Sequence, residues 1–403
     1  MVLLFVLLKP ADLAIGCHDV VVKSRARSFG SQILYKVESI GGVALIRSDE
    51  GHKYNDHLKV CIKESDILNQ QNKYLLSQYK TEYVINNPSV ELISPGNGLI
   101  RQIYDFSDLL SAATYHLYSG DEAVLARGLI LGGSSDFSDK MKVNLKRSGT
   151  SHIVAVSGYN VSILTIIIFD LLRKAISKKA AGIITPIFLI VFYFLTGGSA
   201  SVLRASIMGL IVLASRFVGR RVSAVHLLIL SLSIMLVLNP YSIYDVGFQL
   251  SFAAIAGIFF LSENLNLLFE RFIKTKNVLV KIFAETIAAQ IYTLPILLTT
   301  FGLFSIIAPV ANVLILPLVP GSMLLVFLSL MAGMLNGNFG ILVSSISAIF
   351  LKFFLLVINS LGSLSFASVL IKLPFIVAIG LYCAIIYLTI ILGKFIKNEK
   401  QIN

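Results

Sequence analysis

The sequence predicts an α-helical polytopic membrane protein that carries a small N-terminal, OB-like β-barrel domain. Three observations support this. Of 403 residues, 56% are hydrophobic and only 14% charged, and the mean hydropathy is +0.82, so most of the chain needs lipid as its solvent. Short β-branched runs parted by Gly, Asp, Asn and Pro are confined to the N-terminal region. Long apolar runs bounded by Lys/Arg clusters fill the remainder. The expected division is a short apolar N-terminus (1–19), a β-domain (20–95), amphipathic interfacial helices (96–150), a multispanning domain (151–393) and a cytoplasmic tail (394–403).

The N-terminus, MVLLFVLLKP, is too short to span a bilayer and reads as the stub of a longer anchor. The runs VVVKSRARS, ILYKVESI, GVALIRSD, HLKVCIKES, EYVIN and VELIS then give five or six short strands, the pattern of a small antiparallel barrel or sandwich. Lys, Tyr and Asn crowd its centre, including NQQNKYLLSQYK. Such a surface can hold a single nucleic-acid strand by stacking and charge. Lys23, Arg25, Arg27 and Tyr35 are the candidate contacts, against the plainer reading of a solvated β-domain with ordinary surface tyrosines. Three cysteines exclude a disulfide framework, and no Cys/His/Asp spacing suggests zinc, so neither metal nor cofactor is expected. Cys17 and Cys61 can pair if this domain is exported, with two unpaired, buried cysteines the favoured expectation.

Between Pro95 and Gly149, Leu99, Ile103, Phe106, Leu110 and Ala113 recur at helical spacing, followed by ARGLILGG and the cations Lys140, Lys142, Lys146 and Arg147. Segments of this kind lie in the interface plane. Apolar spans then fall near 160–172, 180–197, 201–218, 223–238, 243–261, 282–300, 339–359 and 375–393. The stretch Phe304–Leu335 is broken by Pro309, Pro317, Pro320 and Gly321, which excludes one straight helix.

Charge sets orientation. Met1–Asp108 holds 12 basic and 12 acidic residues, so the net charge of +12 belongs to the membrane part. Its clusters (Arg173–Lys179, Arg216–Arg221, Arg271–Lys281, Lys394–Lys400) fall on one side if Phe304–Leu335 makes one net crossing. The excess of cations on cytoplasmic loops makes that side cytoplasmic, with the β-domain facing outward.

Polar groups interrupt the spans where lipid makes them costly. An Arg or Asp at the bilayer centre costs roughly 2.5–3.5 kcal/mol on insertion scales. The run GTSHIVAVSGYNVSIL (Gly149–Leu164) puts His152, Ser157, Gly158, Tyr159 and Asn160 where the chain should enter lipid. Arg204 follows two glycines in GGSASVLRASIMG. Asp245 and Gln249 in YDVGFQLSF are four apart, as on one helical face. Glu285, Gln290, Asn312 and Lys352 lie in later spans. Any one of these can be an ordinary intramembrane hydrogen bond. Together with glycine- and proline-broken segments they resemble the discontinuous helices of conducting proteins.

Four segments, in order, resemble the motifs of the ComEC-type competence proteins, which carry transforming DNA across the bacterial cytoplasmic membrane. They are SGTSHIVAVSGYNVSIL, GGSASVLRASIMG, LNPYSIYDVGFQLSFAAIAGI and QIYTLPILLTTFGLFSIIAPVANVLILPLVP, covering roughly 128–320. The resemblance implies an OB-like domain ahead of the membrane domain and a channel for single-stranded DNA. It makes Arg204, Ser157, Asn160, Gln249 and Asn312 candidate lining residues. His152, Gly158, Asp245 and Pro309 are then candidates for shaping the broken backbone. The family's second histidine position is Asn160 here, so no imidazole chemistry carries over to it. Many members end in a metallo-β-lactamase-like nuclease domain; no HxHxDH cluster occurs among His18, His52, His57, His116, His152 and His226, so strand degradation is expected of a separate nuclease. No GxxxxGK[ST] loop is present, so a cytoplasmic motor or single-strand-binding protein is the expected source of force.

Two other classes stay open on the residues alone. One is a transporter of another polymer or solute. The other is an intramembrane serine hydrolase with Ser157 as nucleophile and His152 or His226 as base, although AVSG lacks the first glycine of GxSG.

Overall fold

The computed structural model describes residues 16–402, apart from 26, 30–31, 40–41, 64–65, 69–83, 134–135, 155–157, 199, 218, 220–222 and 275–276. The apolar stub and the NQQNKYLLSQYK run therefore lie outside the described residues. The chain forms two compact units. One comprises Met1–Leu109, Ile187–Ala200 and Leu232–Phe248; the other comprises Leu110–Pro186, Ser201–Ser231 and Gln249–Asn403.

The first unit contains the β-domain. Its strands are β1 (Gly16–Val22), β2 (Arg27–Phe29), β3 (Gln32–Ser39), β4 (Gly42–Ser48), β5 (His57–Ile62), β6 (Ile67–Leu68), β7 (Val84–Asn86) and β8 (Ser89–Ser94). Their order is β6-β7-β4-β3-β1-β5-β8, with β2 on β3. All pairs are antiparallel except β4 with β7. The path is open among the described residues, with β6 and β8 at its ends, so the OB-like domain is not a closed ring there, and its first described strand starts at Gly16. Period-two alternation builds its core. In β5, Leu58, Val60 and Ile62 turn inward while His57 and Lys59 turn outward. They join Val20, Val22, Tyr35, Val37, Ala44, Ile46 and Ile85.

Cys17 and Cys61 are register partners on β1 and β5 and form a disulfide, which corrects the expectation of two unpaired thiols. The sequence conceals the pairing because 44 positions separate the two residues, and only the β1–β5 register brings them together.

The helix α1 (Leu99–Leu117) follows the β-domain. Its buried stripe is Tyr104, Ser107, Leu110 and Thr114, so Leu99 and Phe106 of the expected apolar stripe are exposed instead. The buried carboxylate of Asp56 fastens the start of α1 to the β-domain. It accepts the backbone N–H of Lys53 (2.7 Å) and of Gly96 (3.1 Å) and pairs with the Arg101 guanidinium. Gly96 is required there, since a Cβ would lie 1.7 Å from the Asn55 carbonyl oxygen.

In the second unit, α2 (Gly120–Leu131) is followed by α3 (Asp139–Arg147), α4 (Ser151–Val154) and α5 (Gly158–Ala175). α2 corrects the interfacial reading of 96–150, because Ala123–Ala126 and Gly128–Leu131 are all buried. A helix that buries eight of its twelve residues on more than one face packs inside a bundle rather than lying along an interface. Then come α6 (Lys178–Leu195), α7 (Ala200–Phe217), α8 (Ala224–Leu238) and α9 (Val246–Gly257), several of which cross from one unit's residues to the other's. α9 runs through a π-helical turn (Ile258–Ser262) into α10 (Glu263–Ile273), well beyond the expected span 243–261. α11 (Val278–Thr300), the short strand β9 (Leu303–Ser305), α12 (Ala308–Ile315), a 3-10 turn at Leu316–Leu318, α13 (Val319–Leu335), α14 (Gly337–Gly362), the short strand β10 (Ser368–Leu370) and α15 (Phe375–Ile402) complete the chain. The prolines of 304–335 are thus absorbed at helix starts and in the 3-10 turn, and the expected tail from 394 continues α15.

Among the described residues, six helices are long and apolar enough to cross a membrane: Lys178–Leu195, Val246–Ile273, Val278–Thr300, Ala308–Leu335, Gly337–Gly362 and Phe375–Ile396. Ser201–Ser215 and Val225–Leu238 are apolar but shorter. Close packing rests on small residues. A Cβ on Gly340 would meet the Gly333 Cα at 2.4 Å, and one on Gly362 would meet the Asn144 backbone. Hydroxyls supply the buried polar links: the Tyr118 hydroxyl lies 2.6 Å from Ser329 Oγ and 2.5 Å from Ser347 Oγ.

Candidate functional site

The polar entry that begins at Gly149 is built from a chain break rather than a helix cap. α3 ends at Arg147, Ser148 and Thr150 exchange a buried hydroxyl bond (2.7 Å), and Gly149 takes a left-handed conformation (φ 71°). A Cβ on Gly149 would fall 2.4 Å from Ala308 Cβ and 3.1 Å from the Ser305 side chain. Glycine is therefore demanded twice, by dihedral and by space. This brings the opening run against the start of α12.

Around that contact the second unit's irregular segments meet. Ser305 Oγ donates to the Arg147 carbonyl (2.7 Å), and Gln290 Nε2 on α11 donates to the Ser305 carbonyl (2.9 Å). β9 pairs with β10, and Ile306 N–H donates to the Ala367 carbonyl (3.0 Å). The Arg147 guanidinium reaches the carbonyls of Leu364 and Ser365, just beyond α14. A cation there neutralises the negative end of a helix and satisfies orphan carbonyls. Pro309 and Asn312 sit on α12, both buried; Asn312 Nδ2 faces Thr286 Oγ1 on α11 at 3.4 Å. Proline in the first turn needs no N–H, so Pro309 starts α12 without loss.

His152 is exposed, with Nδ1 3.1 Å from the Gly149 carbonyl. A carbonyl only accepts, so Nδ1 carries the proton and holds the ring across the turn. Gly158 opens α5. Ser157 lies outside the described residues, as do the side chains of Asn160 and Arg27. Arg204 on α7 is 3% exposed and donates through Nη2 to Ser201 Oγ (3.1 Å), one turn earlier. Gln249 is half-buried on α9.

Asp245 belongs to the first unit and precedes α9 rather than sharing a helical face with Gln249. Its Oδ1 accepts the Phe248 N–H (3.1 Å), as a capping carboxylate does, and a Cβ on Gly247 would press on that oxygen at 3.0 Å. His226 is held by Ser223 at the start of α8, Nδ1 to Oγ 2.5 Å.

Two β-domain candidates have other work. Tyr35 is 0% exposed in the strand core, so its ring has no face to offer a base. Burial pushes its hydroxyl pKa up. Arg25 pairs with Asp108 and donates to Ser107 Oγ (2.9 Å), which in turn donates to the Leu195 carbonyl (2.8 Å). Lys23 is exposed.

Residue reading passed over Arg147 and Ser305 as parts of this site. In the sequence Arg147 stands with the cations Lys140, Lys142 and Lys146, and Ser305 stands alone in an apolar run; the available signal is Gly149, a glycine directly after a helix end. The bonds here are donated and accepted mainly by amides, hydroxyls and carbonyls. They can hold backbone open and offer neutral hydrogen bonds.

A helical bundle with six helices long and apolar enough to span among its described residues, whose irregular segments meet at a polar, glycine-bounded break in a chain with a small β-domain, is a multi-pass membrane protein. Residues 129–395 match the model of the Competence protein family, and the chain belongs to that family. It is similar to ComE operon protein 3 of Bacillus subtilis (strain 168), with 30% identity over 247 residues, 61% of this chain and 31% of that relative's length. No solved structure matches the chain.

Proposed function

We propose that this chain is a channel for DNA uptake that passes single-stranded DNA across the bacterial cytoplasmic membrane, with the β-domain on the outer side and the C-terminus in the cytoplasm. The observation that carries this reading is the meeting of the breaks at 147–152, 303–308 and 364–368 inside the region that matches the Competence family. A strand in transit brings one charge per phosphate. Its path must be wet and must supply donors and helix N-termini without gripping so tightly that transit stops. A break lined by neutral hydrogen-bonding groups, with Arg204 as a buried cation in the same unit, suits that demand.

The Cys17–Cys61 disulfide supports the outward placement of the β-domain, because such bonds persist in oxidising compartments. A cytoplasmic motor or strand-binding protein would supply direction, and a separate nuclease would degrade the complementary strand. Transformation by linear DNA tests the reading in cells carrying Arg204→Ala or Asn312→Leu at wild-type protein level. A fall of roughly tenfold or more is expected, the size of one lost hydrogen bond to a charged group. Unimpaired transformation would remove both residues from the path, and unimpaired DNA uptake in cells lacking the chain would end the proposal, leaving transport of another polymer or solute.

A further inference from the structure

We propose that a polar stripe along α14 forms one wall of the strand's path, with Lys352 as its phosphate-contacting cation, an inference that rests on the DNA-channel reading. On α14, Asn338, Ser345, Lys352 and Asn359 recur every seven residues, and all four are exposed. Seven residues make two turns with a drift of only about 20°, so the four stay on one side of the helix. Gly340, Ser344, Ser347, Leu351, Phe354 and Ile358 form its buried side. From Asn338 to Asn359 the stripe runs about 32 Å, the depth of a hydrocarbon core of about 30 Å.

Lys352 is the costly member. It stands about 15 Å from the Gly362 end of α14 and about 22 Å from the Gly337 end, whereas snorkelling serves cations near helix ends. It has no partner among the described residues, and the chain carries no acid between Glu285 and Glu399. Acids of other helices in the second unit are engaged: Asp170 lies 3.1 Å from Arg173 Nε, Glu270 accepts from Asn266 Nδ2 (2.9 Å), and Glu285 lies 3.8 Å from Lys281 Nζ. An ammonium exposed at that depth needs water or an anion from outside the chain.

The rest of the stripe says which anion fits. Asn338, Lys352 and Asn359 offer N–H donors, and Ser345 donates to the Ile341 carbonyl (2.8 Å), leaving its oxygen to accept from water. One carboxylate on a neighbouring membrane helix would answer Lys352 alone; a hydrated polyanion uses the whole row. One end of the row also joins the break, because Asn359 Oδ1 accepts from Asn144 Nδ2 (2.8 Å) on α3, the helix that ends at Arg147. Ile346, Ile349, Phe353 and Leu356 stand exposed beside the stripe. A strand there meets spaced donors between apolar walls, without the continuous grip that would stop transit.

Ser345 is the position to probe, since it is exposed and its replacement leaves Lys352 in place. With Cys383→Ser, the other two cysteines are held in their disulfide, so Ser345→Cys carries the one free thiol. In cells, a charged methanethiosulfonate should modify that thiol roughly tenfold faster than one at Leu388→Cys on α15, because a thiolate forms only where water reaches. A benzophenone amino acid in place of Ser345 should capture radiolabelled single strand during uptake. Lys352→Gln should lower transformation about tenfold at wild-type protein level, and Lys352→Arg should preserve it. Equal thiol rates at 345 and 388 would overturn the inference. So would capture of protein and no strand at 345, which would make the stripe the seat of a partner helix. Capture of strand by a benzophenone at 152 and none at 345 would move the path off α14 and leave the channel reading standing; uptake with capture at neither would end both.

Discussion

The β-domain and the helical unit solve the same problem, how to fix irregular backbone, with different chemistry. In the first unit the fasteners are charged and covalent: Asp56 with Arg101, Arg25 with Asp108, and the Cys17–Cys61 disulfide. In the second they are small and neutral: Gly149 against Ala308, Gly340 against Gly333, Ser305 on the Arg147 carbonyl, and the Tyr118–Ser329–Ser347 hydroxyls. The difference follows the solvent. Water screens charge and makes an ion pair cheap to hold, whereas lipid penalises unpaired charge and leaves close packing and hydrogen bonds as the available glue. Charge enters the second unit where Arg147 meets helix-end carbonyls and where Arg127 pairs with Asp136 (2.6 Å).

The largest effect is expected where the second unit depends on absence of a side chain. Gly149→Ala adds a Cβ in a left-handed position with Ala308 Cβ at 2.4 Å. Strain and overpacking together should cost about 4 kcal/mol. Thermal unfolding in detergent measures it, and a melt like wild type would show that the 149–308 contact is loose. Next comes the disulfide, which closes a loop across 44 positions and should contribute about 3 kcal/mol. Cys17→Ser with Cys61→Ser should lower the stability of the first unit, followed by proteolysis of the β-domain, and leave proteolysis of the helical unit unchanged. Equal sensitivity of both units would erase the distinction between them.

The smallest expected effect is graded with pH. Burial alone would raise the Asp56 pKa, but the Arg101 guanidinium and the Gly96 and Lys53 N–H groups outweigh it and hold the carboxyl below its ordinary value. A carboxylate with a depressed folded-state pKa stabilises fully above its unfolded value and loses that contribution as pH falls through the folded one. Protease resistance of the β-domain should therefore decline on acidification below the ordinary Asp range. Asp56→Asn should flatten that decline, and an unchanged profile would show that the contact with α1 does not rest on this carboxylate.

Much of this division was legible in the residues, because alternation and long apolar runs report the solvent of each segment directly. The strands around Leu58–Ile62 and the broken stretch 304–335 could both be read that way. Partnerships could not. Tyr35 reads as a surface aromatic beside Lys36, yet β3 turns it into the core. Asp245 and Gln249 have helical spacing, but the helix starts at Val246 and makes Asp245 its cap. The stretch 96–150 reads as interfacial helices, whereas α2 within it buries Ala123–Ala126 and Gly128–Leu131. In each case a distant strand register, a helix start or a neighbouring helix decided the outcome.

The central claim is that the break where Gly149, Ser305 and Ala308 meet lies on the path of the strand. Photo-crosslinking during uptake tests it most directly, with a benzophenone amino acid in place of His152, which is exposed beside the break, or of Leu388, 62% exposed on α15. The account predicts covalent capture of radiolabelled single strand at 152 and none at 388. Capture at 388, or uptake that proceeds with no capture at 152, would contradict it.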